Sequence, residues 1–163
     1  ELLMNDRRNN LESQVARSLA IQYTMDLRDF IGNPVLHEIM HIADSVRHHG
    51  QNYYVTGLLF KIEDYTDRKD SYREDLRHYF YRPSNKRIYR ALHALKIRPG
   101  ENYFDEYLTR IINDRIALYV KFEEVDQNLI KSRYIKEKKL RKKVGDKWMK
   151  VKRYLSRIIA RVK

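Results

Sequence analysis

Residues 35–44 read VLHEIMHIAD, and three of them have the types and spacing to do chemistry: His37, Glu38 and His41. On a helix, residues four apart share a face, so the two imidazoles stand one above the other. Such a pair can hold Zn2+, and Glu38 beside it can take a proton from a metal-bound water. The residues between and beside them are uncharged. The same stretch also reads as part of an ordinary amphipathic helix. In that reading Leu36, Ile39, Ala43 and Val46 face a core, while His37, Glu38, His41, Asp44 and His48 form the wet side. The chain has no cysteine, which excludes disulfides, a thiolate zinc site and cysteine catalysis. It has no Gly-rich phosphate loop, no GxSxG and no EF-hand loop.

The HEIMH segment resembles the zincin metallopeptidases. With Asp44 it extends to HExxHxxD, similar to the catalytic domain of the anthrax lethal-factor type. That resemblance implies zinc held by His37, His41 and a glutamate on a later helix, for which Phe104–Leu108 (FDEYL) offers Glu106, with Glu38 as general base. Residues 49–53, His-Gly-Gln-Asn-Tyr, are alternatively similar to the His-Gly-x-x-aromatic segment of SprT-like proteases, which act on DNA-bound proteins. Separately, Arg87 and His93 resemble the Arg-x4–6-His pair of all-α HEPN ribonucleases.

The elements that must position these residues are helical. At 163 residues, the length suits one domain, or a small domain plus an arm. Five Gly and three Pro mostly punctuate, at residues 32–34, 50, 83 and 99–100. Apolar residues at 11, 15, 19, 23, 27, 30 and 31 predict a first helix ending at Gly32. Pro34 suits the first position of the next helix, whose stripe is Leu36, Ile39, Ala43 and Val46. Residues 53–62 fit a strand or a helix. Ser71-x-x-Glu74 predicts a capping box and a helix to about Tyr81. Residues 85–95 predict another helix, and Tyr103, Tyr107, Leu108, Ile111, Ile112, Ile116 and Tyr119 mark one longer helix. The expectation is an all-α multi-helix bundle of five to seven helices with a long basic C-terminal helix.

The net charge of +12 is unevenly spread. Residues 131–163 hold fifteen Lys and Arg against two acidic groups, whereas residues 1–130 form a near-neutral helical body. In the basic segment Leu140, Val144, Trp148, Val151, Leu155, Ile158 and Val162 fall at spacings of three and four, one apolar stripe that needs a partner. Lys143, Lys147, Lys150, Arg157 and Arg161 make a neighbouring cationic ridge, and Gly145 is a place for a bend. A single helix over the whole segment would run roughly 50 Å. Duplex DNA carries about one negative charge per 1.7 Å, so a polyanion is the fitting partner. Thirteen tyrosines, among them Tyr53, Tyr54, Tyr79, Tyr81, Tyr103 and Tyr107, suit contact surfaces and subunit assembly.

The leading expectation is therefore a non-enzymatic, sequence-nonspecific nucleic-acid-binding protein of architectural, nucleoprotein or viral-coat type. It would contact DNA or RNA phosphates through Lys138, Lys139, Arg141, Lys142, Lys143, Lys147, Lys150, Arg153, Arg157 and Arg161, need no cofactor and act as a homo-oligomer. The rival expectation is a zinc metallopeptidase brought to nucleic acid by its basic tail. With no transmembrane run and no signal-peptide pattern, the expected setting is intracellular or inside a virion.

Overall fold

The computed structural model describes the backbone of residues 2–162 and the side chains of residues 10–162. Over these the protein is all-helical, with 79% helix and no strand. The elements are α1 (Leu2–Thr24), α2 (Val35–Val46), α3 (Gln51–Leu59), the single turn α4 (Ile62–Tyr65), α5 (Lys69–Phe80), α6 (Lys86–Leu95), a π-helical turn (Tyr103–Tyr107), α7 (Leu108–Ile112), α8 (Arg115–Ser132) and α9 (Lys138–Val162). Setting aside the one-turn α4, eight helices are described, slightly more than the five to seven expected. Residues 51–59 settle as helix, the alternative left open by their pattern.

Four boundaries moved, all but that of α5 for a local polar reason. The first stripe does not run to Gly32, because α1 stops at Thr24. Beyond it the Asp29 carboxylate accepts from the Ile31 and Asn33 amides at 3.1 and 2.9 Å, a side-chain turn that competes with helix. Gly32 closes that turn with φ +84°, a conformation that favours glycine. Phe30 is left 69% exposed. Pro34 is consequently the residue just before α2 instead of its first residue. At α5 the helix begins at Lys69 with no side-chain cap, two residues ahead of the expected Ser71 box. The expected single helix from residue 103 to 119 is divided. Asn102 accepts from the Asp105 amide at 2.8 Å to start the π turn, and Asp114 accepts from the Ala117 amide at 2.9 Å to start α8 afresh.

The core holds two apolar clusters. One gathers α1 to α5 around Ile39, Leu58, Tyr72 and Phe80. The other joins α2 and α6 to the π turn, α7, α8 and α9 around Ile42, Leu108, Ile111 and Val120. Helices α2 and α3 cross closely because residue 57 is glycine: a Cβ there would meet Ala43 Cα at 2.8 Å.

The basic helix is shorter than residues 131–163. Lys131 lies in the last turn of α8 and is buried, and α9 starts at Lys138. Glu137 caps it, its carboxylate accepting from the Lys139 and Leu140 amides at 3.0 and 2.6 Å. The helix runs unbroken through Gly145 for 25 residues, or ~37 Å. Its apolar stripe docks on this same chain, chiefly on α8. Val151 and Leu155 are fully buried, each contributing about 1.5–3 kcal/mol. Trp148 and Ile158 are half-buried against the same cluster, while Leu140 and Val162 remain exposed at the ends of the stripe.

Candidate nucleic-acid interface

Docking the stripe fixes which side of α9 faces out. The helix carries eleven Lys and Arg and one acidic residue, Asp146. Lys139, Lys143, Lys150, Arg153, Arg157 and Arg161 recur at helical spacing to make one ridge, broken only where Asp146 takes the position between Lys143 and Lys150. All six are exposed, as are Lys138, Lys142 and Lys147. Arg141 is half-buried and donates to the Ile135 carbonyl at 3.2 Å. None of these ten cations has an ion-pair partner among the described residues, whereas the neighbouring Lys152 does, Asp126 at 2.6 Å. Lys147 lies over the rings of Tyr103 and Trp148, and Lys150 over Phe104. Those rings restrain the two ammonium groups without neutralising them.

The HEIMH helix is arranged otherwise than zinc chemistry requires. His37, His41, Asp44 and His48 are exposed, as expected of a wet face. Glu38 is not on that face: it is buried, with 5% of its surface exposed. Its two oxygens meet Lys61 Nζ at 2.8 Å and Lys131 Nζ at 2.5 Å. A carboxylate held between two ammonium groups has its oxygens engaged, whereas a general base must have one free to face water. Glu106 is exposed on the π turn, and His49 stacks on the Tyr119 ring at 4.2 Å. No three His, Asp or Glu side chains are grouped as a metal ion needs, among the described residues. The residues present therefore do not fit a catalytic zinc. Of the Arg87–His93 pair, both side chains are exposed, and His93 meets the Tyr81 hydroxyl at 3.1 Å.

Glu38 belongs to a continuous buried ion-pair network. Lys61 also reaches Glu124 at 3.2 Å, Lys121 meets Glu124 at 2.5 Å, and Lys131 meets Asp29 at 3.0 Å. Three acids and three lysines thus alternate as Asp29–Lys131–Glu38–Lys61–Glu124–Lys121. They tie the loop before α2, α2 itself, the α3–α4 junction and α8. Burial alone would push the Glu124 carboxyl up, but Lys121 and Lys61 outweigh it and hold it at about 2. Burial alone would lower the two lysines; Glu124 outweighs it and raises both, helped at Lys61 by Glu38 and at Lys121 by Tyr107 and Tyr103. Sequence reasoning missed this network, although a signal was present. Ala117, Lys121, Glu124, Asn128 and Lys131 recur at spacings of four and three, the same period as an apolar stripe.

The tyrosines divide. Tyr54 and Tyr107 are fully buried, Tyr53 and Tyr103 half-buried, and Tyr79 and Tyr81 exposed. No described helix is long and apolar enough to cross a membrane. Comparison with known proteins finds no matching family model and no similar curated protein.

Proposed function

We propose that the protein binds nucleic acid through the outer face of α9, contacting phosphates without reading sequence. The observation that carries this is the exposed, unpaired cationic ridge held rigid along a docked helix. From Lys139 to Arg161 the ridge is ~33 Å long, close to the roughly 34 Å of one duplex turn. A row of six cations of that length, already ordered by its docked helix, can meet phosphates on either side of a groove at little conformational cost.

The test is fluorescence anisotropy with a labelled random-sequence duplex across a salt series. With four to six phosphates neutralised, log K should fall against log salt with a slope of about −4 to −5. The triple variant Lys150→Glu, Arg153→Glu and Arg157→Glu should lose measurable binding while keeping its melting temperature. Binding insensitive to salt, equal binding by the triple variant, or tighter binding to phosphatidylserine vesicles than to duplex at the same salt would each overturn the proposal. Sedimentation of the complex reads the homo-oligomeric part of it, namely whether further copies add along a longer duplex.

A further inference from the structure

A cavity of about 720 Å3 opens between α5 and α6, with Lys61, Lys121 and Glu124 at its floor and Lys147 and Trp148 of α9 at one side. Its volume lies in the roughly 300–1,000 Å3 range of small-molecule sites. Every acid that lines it is already engaged or shifted towards neutrality. Glu63 is taken by Arg73 and Lys96, and Glu124 by Lys61 and Lys121. Burial, and then Glu124, push the Asp64 carboxyl up. The cations are in surplus: Lys69, Arg77 and Lys147 line the cavity with no carboxylate partner among the described residues. Positive charge without a counter-charge, over a floor whose ions are already paired, selects an anion.

The second half of the lining selects a ring. Tyr103 and Trp148 meet edge to face, 6.4 Å between centroids, and Tyr81 stands across from them beside His93. The Tyr103 hydroxyl is buried, with the Lys121 ammonium as its neighbour. We propose that this cavity binds a nucleotide, its phosphate towards Arg77 and its base against Tyr103 and Trp148. The inference goes beyond the α9 interface: of the cations placed at that interface only Lys147 also lines the cavity, and the phosphate is placed at Arg77 of α5.

Calorimetric titration of the full chain with AMP, adenosine and inorganic phosphate tests it. AMP should bind at least ten-fold tighter than either part, since both halves of the lining are used only by the whole. Arg77→Ala removes an exposed side chain and should weaken AMP by about ten-fold or more, the size of one charge-assisted hydrogen bond. Lys86→Ala, exposed and outside the cavity, should leave AMP binding unchanged. Absence of AMP binding at millimolar concentration, phosphate binding as tightly as AMP, or Arg77→Ala binding like wild type would overturn the inference. Duplex binding is measured separately, so either proposal can fail without the other.

Discussion

Replacing Glu38 by Gln separates a structural carboxylate from a catalytic one. In the buried network three acids face three lysines. Glu38→Gln keeps the shape but leaves three lysines against Asp29 and Glu124, one buried positive charge with no counter-charge. Removing one partner of a buried pair costs about 3–5 kcal/mol. For a domain of this size each kcal/mol moves the melting temperature by about 2–4 °C, so the melt should fall by roughly 6–20 °C. The same change on a wet helix face, where the sequence pattern alone places Glu38, costs within about 0.5 kcal/mol.

A second substitution makes the reasoning stricter. Lys61→Met added to Glu38→Gln cuts the network in the middle. What remains is two closed pairs, Asp29 with Lys131 at 3.0 Å and Glu124 with Lys121 at 2.5 Å. Charge balance returns, so the double variant should be more stable than Glu38→Gln alone, a coupling of about 1–3 kcal/mol. Urea and thermal melts followed by circular dichroism read both numbers. A Glu38→Gln melt within about 2 °C of wild type, or a double variant as unstable as the sum of its singles, would refute the network's role.

Three further outcomes follow from the same geometry. The folded Glu124 carboxyl, held at about 2, lies below its ordinary 4.5, so its contribution is complete above that value and drains away as pH falls through 4.5 towards 2. Lys61 and Lys121 are shifted upward from 10.5, and burial holds Tyr107 up at about 12; their contributions are lost as pH rises beyond about 10. Stability against urea should therefore show a plateau between roughly pH 5 and 10, and a curve still rising from pH 5 to 7 would count against it. Gly57→Ala should cost about 1–3 kcal/mol despite alanine's better helix propensity, because the added Cβ meets Ala43 Cα at 2.8 Å; an unchanged urea midpoint would contradict that crossing. Elemental analysis of purified protein should find no stoichiometric zinc, and His37→Ala, altering an exposed side chain, should leave the melt unchanged; one bound zinc lost in that variant would restore the peptidase reading.

Much of the fold was legible because helical periodicity is a local signal. The stripe of α2 emerged as its residues predicted, that of α9 did so except at its exposed ends Leu140 and Val162, and Glu38 aside, the wet face of α2 did too. What escaped was set by side chains acting on backbone or on distant charge. Asp29 ends the run towards Gly32 by capturing two amides, and Asp114 restarts a helix inside one apolar stripe. Glu38 lies one position from the stripe's centre, and the pattern cannot say whether such a residue turns in or out. Lys61 and Lys131, at separations of 23 and 93 residues, decide it. The basic segment misled by composition: Lys131 counts with the tail in sequence yet is spent inside the core.

That last distinction explains how one chain handles so much positive charge. The network contributes nothing to the net +12, because its six members cancel. The surplus is therefore displayed on the surface, and most of it on α9. Helix α8 links the two arrangements: Lys121, Glu124 and Lys131 lie buried on it, and the α9 stripe docks against it. Weakening the network should loosen the seat of the ridge. On that coupling, Glu38→Gln reaches the proposed phosphate interface without touching it, by letting α9 shift or fray. Below the melt, duplex affinity in Glu38→Gln should drop with a shallower salt slope as fewer cations stay in register. Loss of affinity at an unchanged slope would instead mean that only the folded fraction had fallen and that the ridge stands independently of the core beneath it.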